Sequence, residues 1–199
     1  MIDDIFNREI VLENERALLR PLEESDFGNL LPFSLREPEI WKYGLVSAAG
    51  PENLRTYIEE AVNNRAQKKE YPFIVFDKKA GAFAGSTRFY DIQQQYASTQ
   101  LGFTWYGKDF QRTGLNRHCK WLLLSFAFES WGLERVEFRA DVNNEASILA
   151  MKAIGCVEEG VLRNHMPTAD GRRRSSIVLS ILKSDWMQGG REFLRGKTR

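Results

Sequence analysis

The run Gln111-Arg112-Thr113-Gly114-Leu115-Asn116 constrains this 199-residue chain more than any other stretch. It joins an apparent strand, in which Leu101, Phe103 and Trp105 alternate with Gly102, Thr104 and Tyr106, to an apolar-periodic helix. A strand that turns through a glycine loop straight into a helix leaves the first helical N–H groups unpaired. They share one point with the positive end of the helix dipole, and such a point suits a phosphate.

The elements around this loop follow from spacing. Leu115, Cys119, Leu122, Leu123 and Phe126 recur at helical intervals, and Gly132 supplies a C-terminal stop. Val136, Phe138, Ala140 and Val142 alternate with Glu137, Arg139 and Asp141, the pattern of a half-buried strand. Asn144 caps a helix carrying Ile148, Met151 and Ile154, which Gly155 ends; Val157–Leu162 and Ser176–Leu182 read as the last strands. Upstream, Arg16–Leu22 is a first strand, and Ser25 to Leu35 and Pro51 to Lys68 are helical. Phe73–Phe76 and Ala82–Phe89 flank a hairpin turn, and Thr99–Tyr106 follows. Strand and helix alternate only in the second half, so the fold class is α+β with a mixed sheet. No repeat, linker or composition break divides residues 1–199, which predicts a single domain.

Composition narrows the function. The 28 basic and 27 acidic side chains nearly cancel, which gives no drive for general nucleic-acid or membrane binding. A hydrophobic fraction of 43% supports a packed core. Cys119 and Cys156 lack metal-ligand spacing and read as buried free thiols of a reducing compartment. Met1–Asp4 is acidic without an apolar signal core, and no apolar run spans a bilayer, so a soluble cytoplasmic protein is expected. The chain carries neither G-x-x-x-x-G-K-[ST] nor G-x-G-x-x-G, which argues against a nucleotide-phosphate enzyme.

The ordered set of the Gln111–Asn116 loop, long helix, strand, Asn144-Glu145-Ala146-Ser147 helix start, Glu159-Gly160-Val161-Leu162-Arg163 and Asp170-Gly171-Arg172-Arg173 resembles the GNAT N-acetyltransferase superfamily. Within it, the chain is most similar to the RimJ/RimL-type branch, which includes acetylases of ribosomal-protein N-termini. The resemblance covers about Arg16 to Trp186. It implies a mostly antiparallel twisted sheet of about seven strands with about four helices, splayed between strands 4 and 5. It also implies acetyl-CoA as co-substrate, no metal, and an amine acceptor that is a small molecule or a protein N-terminus; a homodimer is compatible with it. By this resemblance Gln111, Arg112, Thr113, Gly114, Leu115 and Asn116 take the CoA pyrophosphate. Thr104, Trp105 and Tyr106 pair with the pantetheine amides as an added strand would. Asn144 touches the arm or the thioester end, and Ser147 donates a proton to the leaving thiolate.

The chain departs from the family pattern at three positions. Asn116 stands where Gly or Ala is frequent, and reads as an N-cap supporting the same turn. Gln100 stands where many relatives have a Glu that can act as base; Ser175 replaces a frequent Asp and removes an ion pair. A glutamine cannot take a proton at neutral pH. Ordinary α-amines titrate near 7.7–8.0 and lysine near 10.4, a difference worth roughly 3.4 kcal/mol of deprotonation. A site without a strong base therefore favours a weakly basic amine. His165, on the sixth strand near the expected acceptor site, is either such a base or an exposed strand residue. His118 reads as a solvated helix residue, and Arg172–Arg174 as a solvated hairpin rather than an RNA-facing patch. The expected activity is direct attack of an amine on acetyl-CoA in a ternary complex, since no cysteine stands where a covalent nucleophile belongs. A non-catalytic acyl-CoA-binding module is the alternative.

Overall fold

Alternating apolar residues build the frame of the molecule, one eight-stranded sheet. The computed structural model describes residues 5–198; the Met1–Asp4 segment discussed above lies outside them. The strands are β1 (Leu12–Glu13), β2 (Ala17–Pro21), β3 (Tyr71–Asp77), β4 (Ala82–Gln93), β5 (Ser98–Tyr106), β6 (Arg135–Asp141), β7 (Val157–Pro167) and β8 (Arg173–Leu182), in the order β1-β2-β3-β4-β5-β6-β8-β7. All neighbours are antiparallel except β5 and β6, which run parallel. The seven expected strands are present, and the two-residue β1 makes the eighth. Two residues carry too little alternation to be read from sequence.

The helices α1 (Phe27–Arg36) and α2 (Pro51–Ala66) cover one face and α3 (Leu115–Ser125) the other; α4 (Glu145–Ala153) follows β6. Leu54, Tyr57, Ile58 and Ala61 of α2 pack with Leu30, Ile74 and Trp105 in one apolar cluster. Leu115, Cys119, Leu122 and Leu123 of α3 pack with Phe73, Phe89, Leu101, Val136 and Phe138 in the other. Full burial of each such large side chain contributes about 1.5–3 kcal/mol. A wide π-turn, Phe126–Ser130, prolongs α3, and Gly132 then turns the chain with φ +81°. A helical segment at Arg191–Gly196 was not signalled by the sequence pattern; it buries Leu194 and is anchored through Trp186, whose Nε1 donates to Glu129 at 2.9 Å.

One feature of β5 contradicts simple alternation. Leu101 faces α3, whereas Phe103 and Trp105 face α1 and α2. The ladder with β4 pairs Ser86 with Trp105 and Arg88 with Gly102, so Phe103 and Thr104 both stand opposite Thr87. Phe103 has φ +48°, the left-handed conformation of a bulge residue. Beside it, Gly85 has φ +156°, and a Cβ there would lie 2.0 Å from the Trp105 carbonyl oxygen. The bulged strand is seated against a position only glycine can fill.

Candidate active site

The loop after β5 has the geometry that its sequence promised. Arg112 and Gly114 adopt φ +60° and +91°, which reverses the chain between β5 and α3. Leu115 N–H reaches the Thr113 hydroxyl at 3.4 Å, while the amides of Arg112, Thr113, Gly114 and Asn116 have no acceptor among the described residues. The side chains brace the turn: Gln111 donates to the Tyr106 carbonyl at 2.9 Å and Thr113 to the Phe110 carbonyl at 2.8 Å. Asn116 is not the N-cap, since Gly114 occupies that position. Its carboxamide oxygen accepts from the Tyr106 hydroxyl at 3.2 Å and ties α3 to the end of β5.

Parallel pairing of β5 with β6 stops early. Ser98 pairs with Arg135, Thr99 with Val136 and Gln100 with Glu137, and no later pair follows. From Leu101 to Tyr106 the β6-facing edge of β5 has no partner strand, so a wedge opens between two buried strands. Of the three residues expected along this edge, Thr104 sends its hydroxyl toward α3, where Lys120 Nζ donates to it at 2.9 Å. Trp105 is a core residue whose indole reaches the Tyr57 hydroxyl at 3.3 Å, and the Tyr106 carbonyl is already engaged by Gln111.

At the start of α4, Asn144 Oδ1 accepts from Ser147 N–H at 3.1 Å. The cap read from the sequence is thus present. Because Asn144 satisfies that amide, the Ser147 hydroxyl is left without a partner among the described residues.

The α1/α2 face of the sheet collects polar groups where β5 and β6 part. Gln100 donates to Asp91 Oδ2 at 2.7 Å. Glu137, its partner across the last pair, accepts from Arg135 at 2.8 Å and from Arg139 at 2.6 Å. His165 lies against this group: Arg139 approaches its Nε2 at 3.5 Å, and its Nδ1 is 3.0 Å from Ser176 Oγ. Burial first, then Arg139, Arg174 and Arg173, hold the imidazole below its ordinary pKa, which favours the neutral ring with a lone pair on one nitrogen at pH 7. Burial pushes the Tyr90 phenol up to about 12. The β7–β8 turn bends over this face, where Ala169 N–H reaches the Gly44 carbonyl at 3.3 Å and Arg174 the Tyr43 carbonyl at 3.5 Å.

Three expectations change here. His118 is buried rather than solvated, 7% exposed, with the Asn14 side-chain amide 3.2 Å from its Nδ1. The Arg172–Arg174 run is not uniformly solvated: Arg172 pairs with Asp170 and Arg173 with Asn164 at the surface, whereas Arg174 is buried with its Nε on Ser176 Oγ at 2.9 Å. Strand alternation accounts for the split, since successive residues point to opposite faces. Finally, the face around Gln100 holds two carboxylates, Asp91 and Glu137, though both are engaged by neighbours. Sequence reasoning missed Asp91, Lys120, Glu137, Arg139 and Arg174; the outward alternation of Glu137 and Arg139 on β6 was the one available signal. Cys119 and Cys156 are free and buried as expected, and burial raises both thiols to about 12. Among the described residues, no helix is long and apolar enough to cross a membrane.

Loop amides without acceptors, an open strand edge and a wedge in the sheet thus lie together at the C-terminal end of β5. The acetyltransferase (GNAT) domain model matches residues 16–157, and the chain belongs to this family of acetyl-CoA-dependent N-acetyltransferases. It is 27% identical over 178 residues to the Bacillus subtilis (strain 168) protein described as "Putative ribosomal N-acetyltransferase YdaF", covering 87% of this chain and 94% of that one. A crystal structure of a putative acetyltransferase from T. thermophilus superposes with a TM-score of 0.84 at 30% identity, covering 94% of this chain and 96% of that one. A GCN5-related N-acetyltransferase from Brucella melitensis shares the fold with a TM-score of 0.88 at 21% identity, covering 96% and 86%. The name of the Bacillus relative agrees with the RimJ/RimL-type resemblance.

Proposed function

We propose that this chain acetylates a weakly basic primary amine, such as a peptide or protein α-amine, by direct attack on acetyl-CoA in a ternary complex. The observation that carries the reading is the end of β5–β6 pairing at Gln100–Glu137, with unpaired loop amides at the wide end of the wedge. The residues present fit the co-substrate. Arg112, Thr113, Gly114, Leu115 and Asn116 offer backbone donors to the pyrophosphate, and the free β5 edge at Thr104–Tyr106 offers strand-like pairing to the pantetheine amides. When bound, acetyl-CoA supplies an activated acyl group.

The protein's own groups do the rest. Asn144, fixed by its cap, presents its remaining amide N–H groups to the carrier. Ser147, whose hydroxyl is unengaged, donates a proton as negative charge builds on sulfur. His165, neutral and weakly basic, accepts a proton from the acceptor amine. Direct attack is supported by the thiols, both buried and held in the neutral form. The name of the Bacillus relative supports a protein N-terminus as acceptor, and two free thiols support a cytoplasmic setting. A panel of small amines and N-terminal peptides, read by CoA release, tests this function. Acetyl-CoA binding without CoA release from any acceptor would instead establish a non-catalytic acyl-CoA module.

A further inference from the structure

Lys120 lies on α3 with 5% of its surface exposed. Its Nζ donates to Thr104 Oγ1 at 2.9 Å and stands 5.8 Å from the centroid of the Phe138 ring. No carboxylate forms an ion pair with it among the described residues. The titratable groups facing it are thiols, Cys119 on its own helix and Cys156 just beyond α4, and burial keeps both protonated. An ammonium with three N–H donors therefore has one hydroxyl as acceptor. Burial lowers its pKa to about 8, so it still carries charge at neutral pH.

Its position explains what the packing does not. Thr104 on β5 and Phe138 on β6 both lie beyond the last parallel pair, one on each of the parting strands. The ammonium is thus held in the opening between them. A buried cation without a counter-group is poorer packing than an apolar side chain of similar size. The wedge needs a ligand rich in carbonyl oxygens to satisfy it. We infer that Lys120 is a binding residue for the pantetheine arm of acetyl-CoA, its ammonium donating to carbonyl oxygen of that arm inside the wedge. This rests on the acetyl-CoA reading above and adds a side-chain contact to the backbone ones.

The test is calorimetric titration with acetyl-CoA, without acceptor, near pH 8 in two buffers of different ionisation enthalpy. A carbonyl partner favours the charged amine, so the unaltered protein should take up protons on binding where Lys120 is half ionised, near pH 8. Lys120→Met should abolish this uptake and weaken binding about tenfold or more, the loss expected of a charge-assisted hydrogen bond. The unliganded variant should melt at the same temperature or higher, because it no longer buries a charge. Binding without proton uptake by the unaltered protein overturns the inference whether or not the variant folds. So does a folded Lys120→Met that keeps affinity and uptake, or one that loses only stability, which would mark a lysine that merely ties α3 to β5. No binding heat at all from the unaltered protein would reject the acetyl-CoA reading instead.

Discussion

The side-chain amide of Gln100 donates to the Asp91 carboxylate at 2.7 Å, so a carboxylate stands beside the position where many relatives carry a glutamate. Gln100 spends its N–H on that carboxylate and has no proton-accepting group of its own. Rates of the unaltered protein should therefore rise with pH and follow the ionisation of the acceptor amine, with α-amines ahead of lysine side chains at neutral pH. Gln100→Glu would set two carboxylates in contact, which raises the pKa of one of them toward a useful base. Activity should then broaden to more basic amines. The measurement is a pH–rate profile over amines of graded pKa in both proteins; efficient lysine acetylation at pH 7 by the unaltered protein rejects the argument.

Gly114→Glu should abolish the rise in melting temperature that acetyl-CoA gives the unaltered protein. No atom lies within 4 Å of a Cβ built at Gly114, so the side chain has room, but it points a negative charge into the amide nest at a backbone of φ +91°. Thermal shift with and without ligand reads the effect, and an unchanged shift removes the pyrophosphate from this loop.

Ser147→Ala should lower kcat more than it weakens acetyl-CoA binding, and should leave stability unchanged. The amide of Ser147 is already capped by Asn144 at 3.1 Å, so its hydroxyl has no structural duty to lose. Asn144→Ala, by contrast, should cost about 1 kcal/mol of stability as a lost cap. Steady-state kinetics beside urea unfolding separate the two residues; full activity with reduced stability in Ser147→Ala would reverse their roles.

His118, buried, and His165, half-buried, set an acid limit. Burial is the leading cause that lowers both His118 and His165 below 6.5, so the unfolded chain binds more protons as pH falls through that range. Stability should be fully present above about pH 6.5 and fall as pH drops through the lower folded-state values. His118→Gln should flatten this segment of the curve. Unfolding free energy measured across mildly acidic pH checks it, and an identical slope in the variant assigns the loss to other groups.

Gly85→Ala should be severely destabilising, by about 2–4 kcal/mol, because its Cβ would meet the Trp105 carbonyl oxygen at 2.0 Å and neither backbone can yield cheaply. Gly81→Ala, in the β3–β4 hairpin loop with nothing within 4 Å, should cost less; comparable losses would mean the close approach is not what constrains β4 and β5.

What the sequence disclosed was local. Leu115 to Phe126 and Val136 to Ala140 declare their periods within a few residues, and Asn144 declares its cap by its place before an apolar helix. The contacts that give the candidate site its chemistry are long-range. Lys120 reads as one polar position on an amphipathic helix until β5 and β6 are seen to part beside it. Glu137 meets Gln100 only through a parallel register that α3 and its loops must set, and Arg174 looks like its surface neighbours until the β7–β8 turn is brought over Tyr43. His118 failed for the same reason, since the β1–β2 segment that covers it is about a hundred residues away in the chain.

The bulge at Phe103 makes the length of β5 a reading frame. Upstream of it, odd-numbered residues face α3; downstream, odd-numbered residues face α1 and α2. Deleting Phe103 would remove the bulge and leave Thr104 alone opposite Thr87, so Thr104 and Trp105 would keep their layers. Deleting Trp105, where the strand absorbs no extra residue, would instead turn Tyr106 from the α3 layer toward α1 and α2. The same loss of one residue is thus a local repair at the bulge and a frameshift in three dimensions one step beyond it.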